Sequence, residues 1–264
     1  MQDIDSGSIS PIGNYRWLDV ANQIYSEFYR TSYNYTQATV SVTYNIQGTT
    51  LTGTLQGANL KPNFAYQLKL VGTPSTISNE RIGLAGRWWQ EEWNGTAWTN
   101  GQNLNNKGDG SSPNPNDLVY ISRRNITDTS TTGLHYKFTG YLLFDYFITD
   151  GQGNATITFE TGSCYHVLWK TTQRTRTSDD GLNITTMFTA NTSLPAYGTN
   201  YTEQTKSIFG EWERLPMGNV PLSPGEYVAQ LMLTEESFHG DGGQYAGNWA
   251  AAMAATIQFS NEGP

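Results

Sequence analysis

The stretch Leu60-Lys61-Pro62-Asn63-Phe64-Ala65-Tyr66 decides the predicted fold. It has the Leu-x-Pro-x-x-x-Tyr spacing of a tyrosine corner, in which proline sets the turn into a strand and the tyrosine hydroxyl bonds to backbone a few residues upstream. The stretch Leu222-Ser223-Pro224-Gly225-Glu226-Tyr227 repeats the pattern one residue shorter. Because such corners close the ends of paired sheets, we expect an antiparallel β-sandwich with structural roles for Pro62, Tyr66, Pro224 and Tyr227.

The sequence around the first corner alternates with a period of two residues, which is typical of half-buried strands. Residues 37–46 and 49–56 are predicted as antiparallel partners across the Gln47-Gly48 turn, and residues 64–71 as the next strand. Sustained 3.6-residue periodicity is scarce. The predicted class is therefore all-β, with one domain over residues 1–264.

The best local hairpin signal lies further along the chain. Residues 136–149 are rich in aromatic and branched side chains, Asp150-Gly151-Gln152-Gly153 is a tight-turn sequence, and residues 154–160 return. Residues 72–132 interrupt the strand pattern with Trp-rich and then Asn/Gly/Pro-rich sequence. Such a length is unusual for a structureless connection, so this segment is predicted to be a loop-rich insertion with short strands of its own.

The corner motifs resemble those of fibronectin type III and immunoglobulin-like modules. The resemblance covers residues 37–71 and about fifteen residues at the second corner, and the chain departs from the immunoglobulin pattern because it has no cysteine pair. It implies a sandwich of that type, and a jelly-roll arrangement is the alternative. More loosely, the chain is similar to the secreted β-sandwich subunits of archaeal and bacterial sheaths, surface layers and filaments, which implies a structural role.

Composition excludes one large class of function. The net charge is −8, and only 15 residues are Lys or Arg, whereas nucleic-acid binding needs clustered basic side chains. Charged residues make up 14 % of the chain, well below the roughly 25 % of an ordinary soluble domain. Gly, Thr, Tyr and Trp are abundant instead, as is common in exposed surface proteins.

Several features predict an extracellular or cell-surface protein whose leader has been removed. No transmembrane run or signal peptide is visible in the sequence. The single Cys164 cannot form an internal disulfide and is predicted to be buried, free or bridging subunits. Seven Asn-X-Ser/Thr sequons predict covalent N-glycans at Asn34, Asn94, Asn125, Asn154, Asn183, Asn191 and Asn200.

Catalytic signatures are missing from the sequence. It contains neither a Gly-x-Ser-x-Gly turn nor a His-Glu-x-x-His helix motif. Cys164 and His166 would share a strand face, but the apolar surroundings do not favour a reactive thiol. Glu91 and Glu92 would point to opposite faces and cannot together form a glycosidase pair. We predict that the protein is not an enzyme, with a hydrolase site assembled by the fold as the weakest alternative.

Two groups of side chains could bind a ligand. Trp88, Trp89, Trp93 and Trp98 lie within eleven residues and could form a small core, a subunit contact or a stacking platform for sugar. Asp109, Asn116 and Asp117 supply oxygen atoms in a Gly/Pro-rich loop, a composition suited to calcium, although no EF-hand register is present. A solvated turn is the alternative there, and calcium is the only cofactor considered.

Together these features predict a structural subunit of an extracellular filament, sheath or surface layer. Subunits would join as a homo-oligomer or polymer through sheet edges and aromatic contacts. The polar N-terminal segment up to Asn14 and the C-terminal strand could each complete a neighbour's sheet, because an edge offers unpaired N–H and C=O groups. The alternative function is a secreted carbohydrate-binding module that uses the tryptophans at 88–98.

Overall fold

A computed structural model describes residues 2–3, 5–6, 17–19, 23–99, 101–104, 115–124, 135–161, 165–169, 184–190, 195–198, 204–212, 221–235 and 250–263. The fold is mostly β-structure. The helices of this part of the chain are α1 (Glu27–Ser32), α2 (Ile77–Ala85) and α3 (Pro115–Arg123), with single 3-10 turns at Tyr35–Gln37 and Pro195–Tyr197. The strands are β1 (Gln2–Asp3), β2 (Asp5–Ser6), β3 (Thr39–Tyr44), β4 (Gln47–Gly48), β5 (Thr52–Ala58), β6 (Ala65–Val71), β7 (Arg87–Trp93), β8 (Gln102–Asn103), β9 (His135–Ile148), β10 (Ala155–Glu160), β11 (Tyr165–Trp169), β12 (Ile184–Ala190), β13 (Gln204–Trp212), β14 (Gly225–Glu235) and β15 (Ala250–Asn261).

The strands form three sheets. A four-stranded sheet has the order β1-β3-β5-β10, and an eight-stranded sheet has the order β2-β15-β14-β6-β9-β7-β8, with β4 beside β15. A smaller sheet has the order β11-β13-β12. Neighbours are antiparallel except β4 and β15, which are parallel. The predicted pairing on either side of Gln47-Gly48 is confirmed, because β3 and β5 pair from Thr39 opposite Ala58 to Tyr44 opposite Gly53.

The predicted hairpin of residues 136–160 is wrong. Strands β9 and β10 follow one another in the chain, but β9 lies between β6 and β7, whereas β10 pairs with β5 in the other sheet. The turn itself is present: the Asp150 carboxylate accepts the N–H groups of Gln152 and Asn154, at 2.9 and 2.8 Å. Strand β6 pairs with residues 141–148 of β9 and β7 pairs with residues 135–141, while the returning strand β10 crosses to the four-stranded sheet.

The four-stranded and eight-stranded sheets contribute to one hydrophobic core. Phe144 of β9 packs on Phe159 of β10 with ring centroids 5.5 Å apart. Buried side chains of β3, β5, β6, β14 and β15 belong to the same cluster, among them Val42, Leu55, Leu68, Leu231 and Ile257. Alternate residues of each strand face this core, which explains the period of two in the sequence.

Helix α2 takes the place of a strand where β6 ends. The buried Asn79 side chain accepts the N–H of Gly140 at 2.7 Å and donates to the carbonyl of Phe138 at 3.0 Å, as a neighbouring strand would. On the other side, Ser78 Oγ accepts the N–H of Val228 at 3.0 Å. A Cβ atom on Gly140 would lie 2.3 Å from the carbonyl oxygen of Asn79, so glycine permits this close approach.

Residues 72–132, predicted as an insertion, contribute directly to the eight-stranded sheet. Strand β7 pairs with β9 along its whole length, from Arg87 opposite Tyr141 to Trp93 opposite His135. Helix α3, from the same segment, covers one face of β7. This part of the chain is thus continuous with the main sheet.

Candidate functional site: sheet edges and the tryptophan hairpin

The two corner sequences hold their strands by tyrosine hydroxyl groups. At the first corner, Tyr66 Oη accepts the N–H of Lys61 at 3.0 Å, five residues upstream. At the second, Tyr227 Oη donates to the carbonyl of Ser223 at 2.6 Å. The carbonyl of Pro62 accepts the hydroxyl of Tyr25 at 2.5 Å, and Pro224 immediately precedes β14. Both corners therefore lead the chain into strands of the eight-stranded sheet, the first into β6 and the second into β14.

The first corner also contains a buried ion pair that the sequence analysis missed. The ammonium group of Lys61 contacts the carboxylate of Glu235, and the two side chains are 1 % and 0 % exposed. The Lys61 ammonium lies 4.1 Å from the centroid of the Trp17 ring. Tyr35 Oη donates to Glu235 at 2.5 Å and lies 3.1 Å from Tyr66 Oη. The sequence signal for this pair was a charged residue, Lys61, between Leu60 and Pro62 of the corner motif.

The tyrosine hydroxyl groups of this cluster are buried close to the Glu235 carboxylate. Burial raises the pKa of Tyr35 well above its ordinary value, and the negative charge of Glu235 adds to the effect. Burial likewise raises the pKa of Tyr66. Both hydroxyl groups therefore stay neutral and act as hydrogen-bonding links between the corner and β14.

Trp88 does not belong to any exposed group of tryptophans, contrary to its assignment as a ligand or subunit contact. It is 0 % exposed, and its indole stacks on Tyr120 of α3 with centroids 3.7 Å apart. Phe138 and Tyr136 complete this small core. The indole Nε1 donates to Asp117 Oδ1 at 3.0 Å. Alternation along β7 turns Trp88 inward, so it is core, one of the three alternatives left open by the sequence.

Trp93 and Trp98 form a cross-strand pair at the tip of a hairpin. The chain reverses between them, with Asn94 N–H donating to Ala97 O at 3.0 Å and Thr99 N–H donating to Glu92 O at 2.8 Å. The two rings meet edge to face, with centroids 5.6 Å apart and planes at 63°. Trp98 is 40 % exposed. We name residues 87–104 the tryptophan hairpin.

Charged side chains accompany the exposed rings of the tryptophan hairpin. Lys137 of β9 forms an ion pair with Glu91 at 2.7 Å, and its ammonium lies 4.9 Å from the centroid of Trp98. Trp89, Glu91 and Trp93 are half-buried and alternate along β7, so they share one face. The result is a mixed aromatic and charged surface. Lys137 is a charged residue between the aromatic residues Tyr136 and Phe138. This position in the sequence could have marked it as a member of the same surface as the tryptophans.

Three of the seven sequon asparagines lie in the part of the chain that the structure describes, and all three are exposed: Asn34, Asn94 and Asn154. Asn94 Oδ1 accepts the N–H and the hydroxyl of Thr96, at 3.0 and 2.9 Å, in the hairpin turn. Asn34 Oδ1 bonds with the N–H and hydroxyl of Thr36 in the same way. The remaining four sequons, Asn125, Asn183, Asn191 and Asn200, lie outside the described residues.

The predicted calcium ligands are not assembled among the described residues. Asp117 is 1 % exposed in the first turn of α3, where its carboxylate accepts a hydrogen bond from the indole N–H of Trp88. Asp117 therefore lies in a helix and not in the predicted loop, which excludes both a calcium-binding loop and a solvated turn at this residue. Asn116 lies in α3, and Asp109 and Cys164 lie outside the described residues. Within those residues, no group of three or more His, Cys, Asp or Glu side chains could hold a metal.

Among the described residues, one edge of the four-stranded sheet is covered at two positions. Strand β1 pairs with two residues of β3, Gln2 opposite Val42 and Asp3 opposite Ser41, although β3 runs from Thr39 to Tyr44. At the opposite edge, β10 pairs only with β5 among the described strands. Backbone groups that lack a neighbour at a sheet edge can accept a strand from another chain.

The edge of the eight-stranded sheet at β15 is likewise covered at a few positions by the described residues. Strand β15 pairs along its length with β14, but its outer side meets β2 only at Met253 and Ala254 and β4 only at Ser260 and Asn261. Between these contacts, Tyr44 Oη lies 3.4 Å from Gln258 N. Residues 250–255 of β15 are alanine apart from Met253, so this edge carries small side chains. Strand β1 therefore lies on the edge of one sheet and β2 on the edge of the other.

Comparisons with protein-family models, with curated proteins and with solved structures find no match for this chain. Among the described residues, no helix has the length and apolar character needed to cross a membrane. The candidate sites must therefore be judged on their own geometry: two partly covered sheet edges and one exposed aromatic hairpin.

Proposed function

We propose that this protein is a structural, non-catalytic subunit of an extracellular assembly such as a filament, sheath or surface layer. The observation that carries the proposal is that, among the described residues, only short strands lie along the outer edges of β3 and β15. A strand edge with unpaired N–H and C=O groups binds extended chain with little side-chain specificity, and monomeric proteins generally protect such edges. Among the described residues, the cover consists of two residue pairs on β3, and of two pairs from β2, two pairs from β4 and the Tyr44 hydroxyl at Gln258 on β15.

The proposal includes a finer description of the fold. The four-stranded and eight-stranded sheets form an antiparallel β-sandwich, of immunoglobulin or fibronectin type or of jelly-roll type, within one domain of residues 1–264. The shared core and the contact between Phe144 and Phe159 support it. Face-to-face sheets of this kind leave their edge strands at the sides of the molecule, where neighbouring subunits can reach them.

The proposal also includes the location of the protein, which is in the cell envelope or outside the cell. The exposed positions of Asn34, Asn94 and Asn154 support N-glycosylation there. Intact mass of native material, compared with Asn34→Gln, Asn94→Gln and Asn154→Gln variants, tests each position. We expect one glycan mass to disappear with each substitution, and an unmodified native chain would remove glycosylation from the proposal.

The assembly itself is tested by light scattering over a wide range of protein and calcium concentrations, followed by negative-stain microscopy. We expect ordered filaments or sheets. A protein that stays monomeric throughout would overturn the proposed function. Calcium is included because Asp109 remains a proposed ligand.

Carbohydrate binding is the second candidate, and the exposed Trp98 beside the Lys137 and Glu91 pair favours it. Sugars stack on aromatic faces and hydrogen-bond to flanking charged groups. Affinity electrophoresis in polysaccharide gels should then show retardation that Trp98→Ala abolishes. Phe28→Ala is the matched control, since Phe28 is an aromatic residue that is 80 % exposed elsewhere. Equal retardation of the two variants would exclude the tryptophan hairpin as the binding surface.

A further inference from the structure

We propose that the carboxamide of Asn94 modifies itself, by losing ammonia through a cyclic imide that forms with the backbone nitrogen of Gly95. Hydrolysis of this imide leaves aspartate or isoaspartate at the tip of the tryptophan hairpin. The reaction itself does not rest on the proposed function. Its consequence for glycosylation does, because the conversion destroys the sequon Asn94-Gly95-Thr96.

The Asn94 side chain is held in a conformation that polarises its carbonyl group. Its Oδ1 atom accepts three hydrogen bonds, from the N–H of Thr96 at 3.0 Å, the hydroxyl of Thr96 at 2.9 Å and the N–H of Ala97 at 2.9 Å. Attack on an amide carbon moves negative charge onto this oxygen, and donors already directed at it stabilise that charge. The turn therefore lowers the barrier to attack at Cγ of Asn94.

The nucleophile is the backbone nitrogen of Gly95. Because Oδ1 of Asn94 reaches forward to Thr96 and Ala97, the carboxamide folds over the peptide unit of Gly95. Gly95 has a φ of +99°, and a Cβ atom there would meet no described residue within 4 Å apart from its chain neighbours. Glycine adopts this φ without steric cost, and the missing side chain leaves the approach to Cγ open. Both residues are exposed, so water can accept the proton that the nitrogen loses.

The atoms of the reaction balance with water as the only co-reactant. The Gly95 nitrogen forms a bond to Cγ of Asn94 and gives up its proton, while the bond from Cγ to Nδ2 breaks and releases ammonia. One water molecule then opens the cyclic imide. Opening at Cγ gives aspartate, whereas opening at the α-carbonyl carbon gives isoaspartate, in which the backbone continues through the former side chain.

Asn34 provides a matched position within the same chain. Its Oδ1 atom also accepts the N–H and the hydroxyl of a threonine, Thr36. The residue between them is Tyr35, which is 3 % exposed and begins a 3-10 turn. Packing holds Tyr35 in place, and its side chain obstructs the approach of its nitrogen to Cγ of Asn34. Polarisation without an accessible nucleophile should therefore leave Asn34 unchanged.

Conversion of Asn94 competes with the glycan proposed at the same residue. A sugar on Nδ2 is attached to the atom that must leave as ammonia, so a glycosylated Asn94 is protected. An unoccupied sequon, in contrast, loses its acceptor amide with time. The product also adds a negative charge to the turn that joins Trp93 to the exposed Trp98.

Peptide mass spectrometry of the full chain, made in a host without N-glycosylation, tests the reaction. All proteins carry Asn100→Gln, because Asn100 also precedes a glycine and lies in the same tryptic peptide, residues 88–107. The protein is incubated in heavy-oxygen water at mildly alkaline pH, and peptide fragmentation locates the incorporated oxygen. Asn94 should convert at least about tenfold faster than Asn34 in the same sample, since positioning of a nucleophile contributes more than this to intramolecular reactions. An isoaspartate-specific methyltransferase should label the product.

Substitutions separate the nucleophile from the donors. Gly95→Ala adds a side chain beside the attacking nitrogen and should bring the rate down toward that of Asn34. Thr96→Val removes one donor to Oδ1 and should slow conversion severalfold, less than the roughly 10²–10³ of a donor in an enzyme site, because water competes in this exposed turn. Thr96→Ser keeps the hydroxyl and should convert at the parent rate.

Two results would overturn the self-modification: an Asn94 that persists as long as Asn34, and heavy oxygen incorporated without isoaspartate, since direct hydrolysis of the side chain yields aspartate alone. Thr96→Val converting at the parent rate would overturn the part assigned to the Oδ1 donors. Light scattering of the parent measures assembly independently, so each of these failures leaves the proposed structural role standing.

Discussion

The ammonium group of Lys61 and the carboxylate of Glu235 form an ion pair that joins the first corner to the end of β14, and both side chains are almost completely buried. The pair lies among Trp17, Tyr35 and Phe64, whose rings surround the ammonium group. Tyr66, the corner tyrosine, is linked to the same carboxylate through Tyr35. The network therefore connects three parts of the chain that are distant in sequence.

Removing one charge of this pair should be costly. Glu235→Gln leaves the Lys61 ammonium buried without its counter-charge, so we expect the free energy of unfolding to fall by about 3–5 kcal/mol. Lys61→Met combined with Glu235→Gln should recover most of that loss. Urea unfolding of the two variants measures the difference. Glu91→Gln, in the partly exposed pair with Lys137, is the control and should cost at most about 1 kcal/mol. A double variant no more stable than Glu235→Gln would contradict this account.

Asn79 should tolerate no charged replacement. Asn79→Asp retains an acceptor for Gly140 N–H but cannot donate to Phe138 O, and it places a carboxylate where the residue is 2 % exposed. An unsatisfied buried carbonyl alone costs about 1–3 kcal/mol, so we expect at least that loss in unfolding free energy. Asn34→Asp is the matched control, because Asn34 caps an exposed 3-10 turn and aspartate caps equally well. Equal stability of both variants would show that α2 does not depend on the Asn79 amide.

Stability should fall with rising pH through the titration of Asp145. Burial raises the pKa of Asp145 to about 6, although the N–H of Tyr146 donates to it and opposes the shift. In the unfolded chain the group has a pKa of about 3.9. The folded state thus holds the proton more tightly: its contribution is complete below pH 4, decreases between about pH 4 and 6, and is lost above.

The matched variant for this titration is Asp145→Asn. It keeps an oxygen that can accept the Tyr146 N–H but carries no charge. We expect it to raise the melting temperature at pH 7 relative to the parent and to remove this part of the pH dependence. Thermal unfolding of both proteins at pH values from 4 to 8 gives the comparison. Parallel curves for the two proteins would contradict the shifted pKa of Asp145.

The Trp93 and Trp98 rings should couple energetically. Edge-to-face aromatic pairs contribute about 0.5–1.5 kcal/mol beyond the area that they bury. A double-mutant cycle with Trp93→Ala, Trp98→Ala and both together isolates that coupling. Either single variant should also remove an exciton signal from the far-ultraviolet circular dichroism spectrum. A coupling near zero would mean that the two rings do not pack in solution.

Local sequence was sufficient for the features that depend on neighbours along the chain. The spacing from Leu60 to Tyr66 predicted the corner because proline and tyrosine act within one turn, and alternation predicted β3, β5 and β6 because successive side chains of a strand point to opposite faces. The turn after Asp150 also follows from local chemistry, since its carboxylate bonds to N–H groups two and four residues ahead.

Tertiary structure alone decided which partners these elements meet. Strand β10 pairs with β5 in the other sheet, a partner far away in the sequence that the local chemistry of the Asp150 turn does not specify. Trp88 became core because α3 packs on its face of β7 and Tyr120 stacks on the indole, whereas Trp98 follows β7 in the chain and is 40 % exposed. Strands β1 and β2 show the same dependence, because their residue pairs need the edges of β3 and β15, which exist only once both sheets have formed.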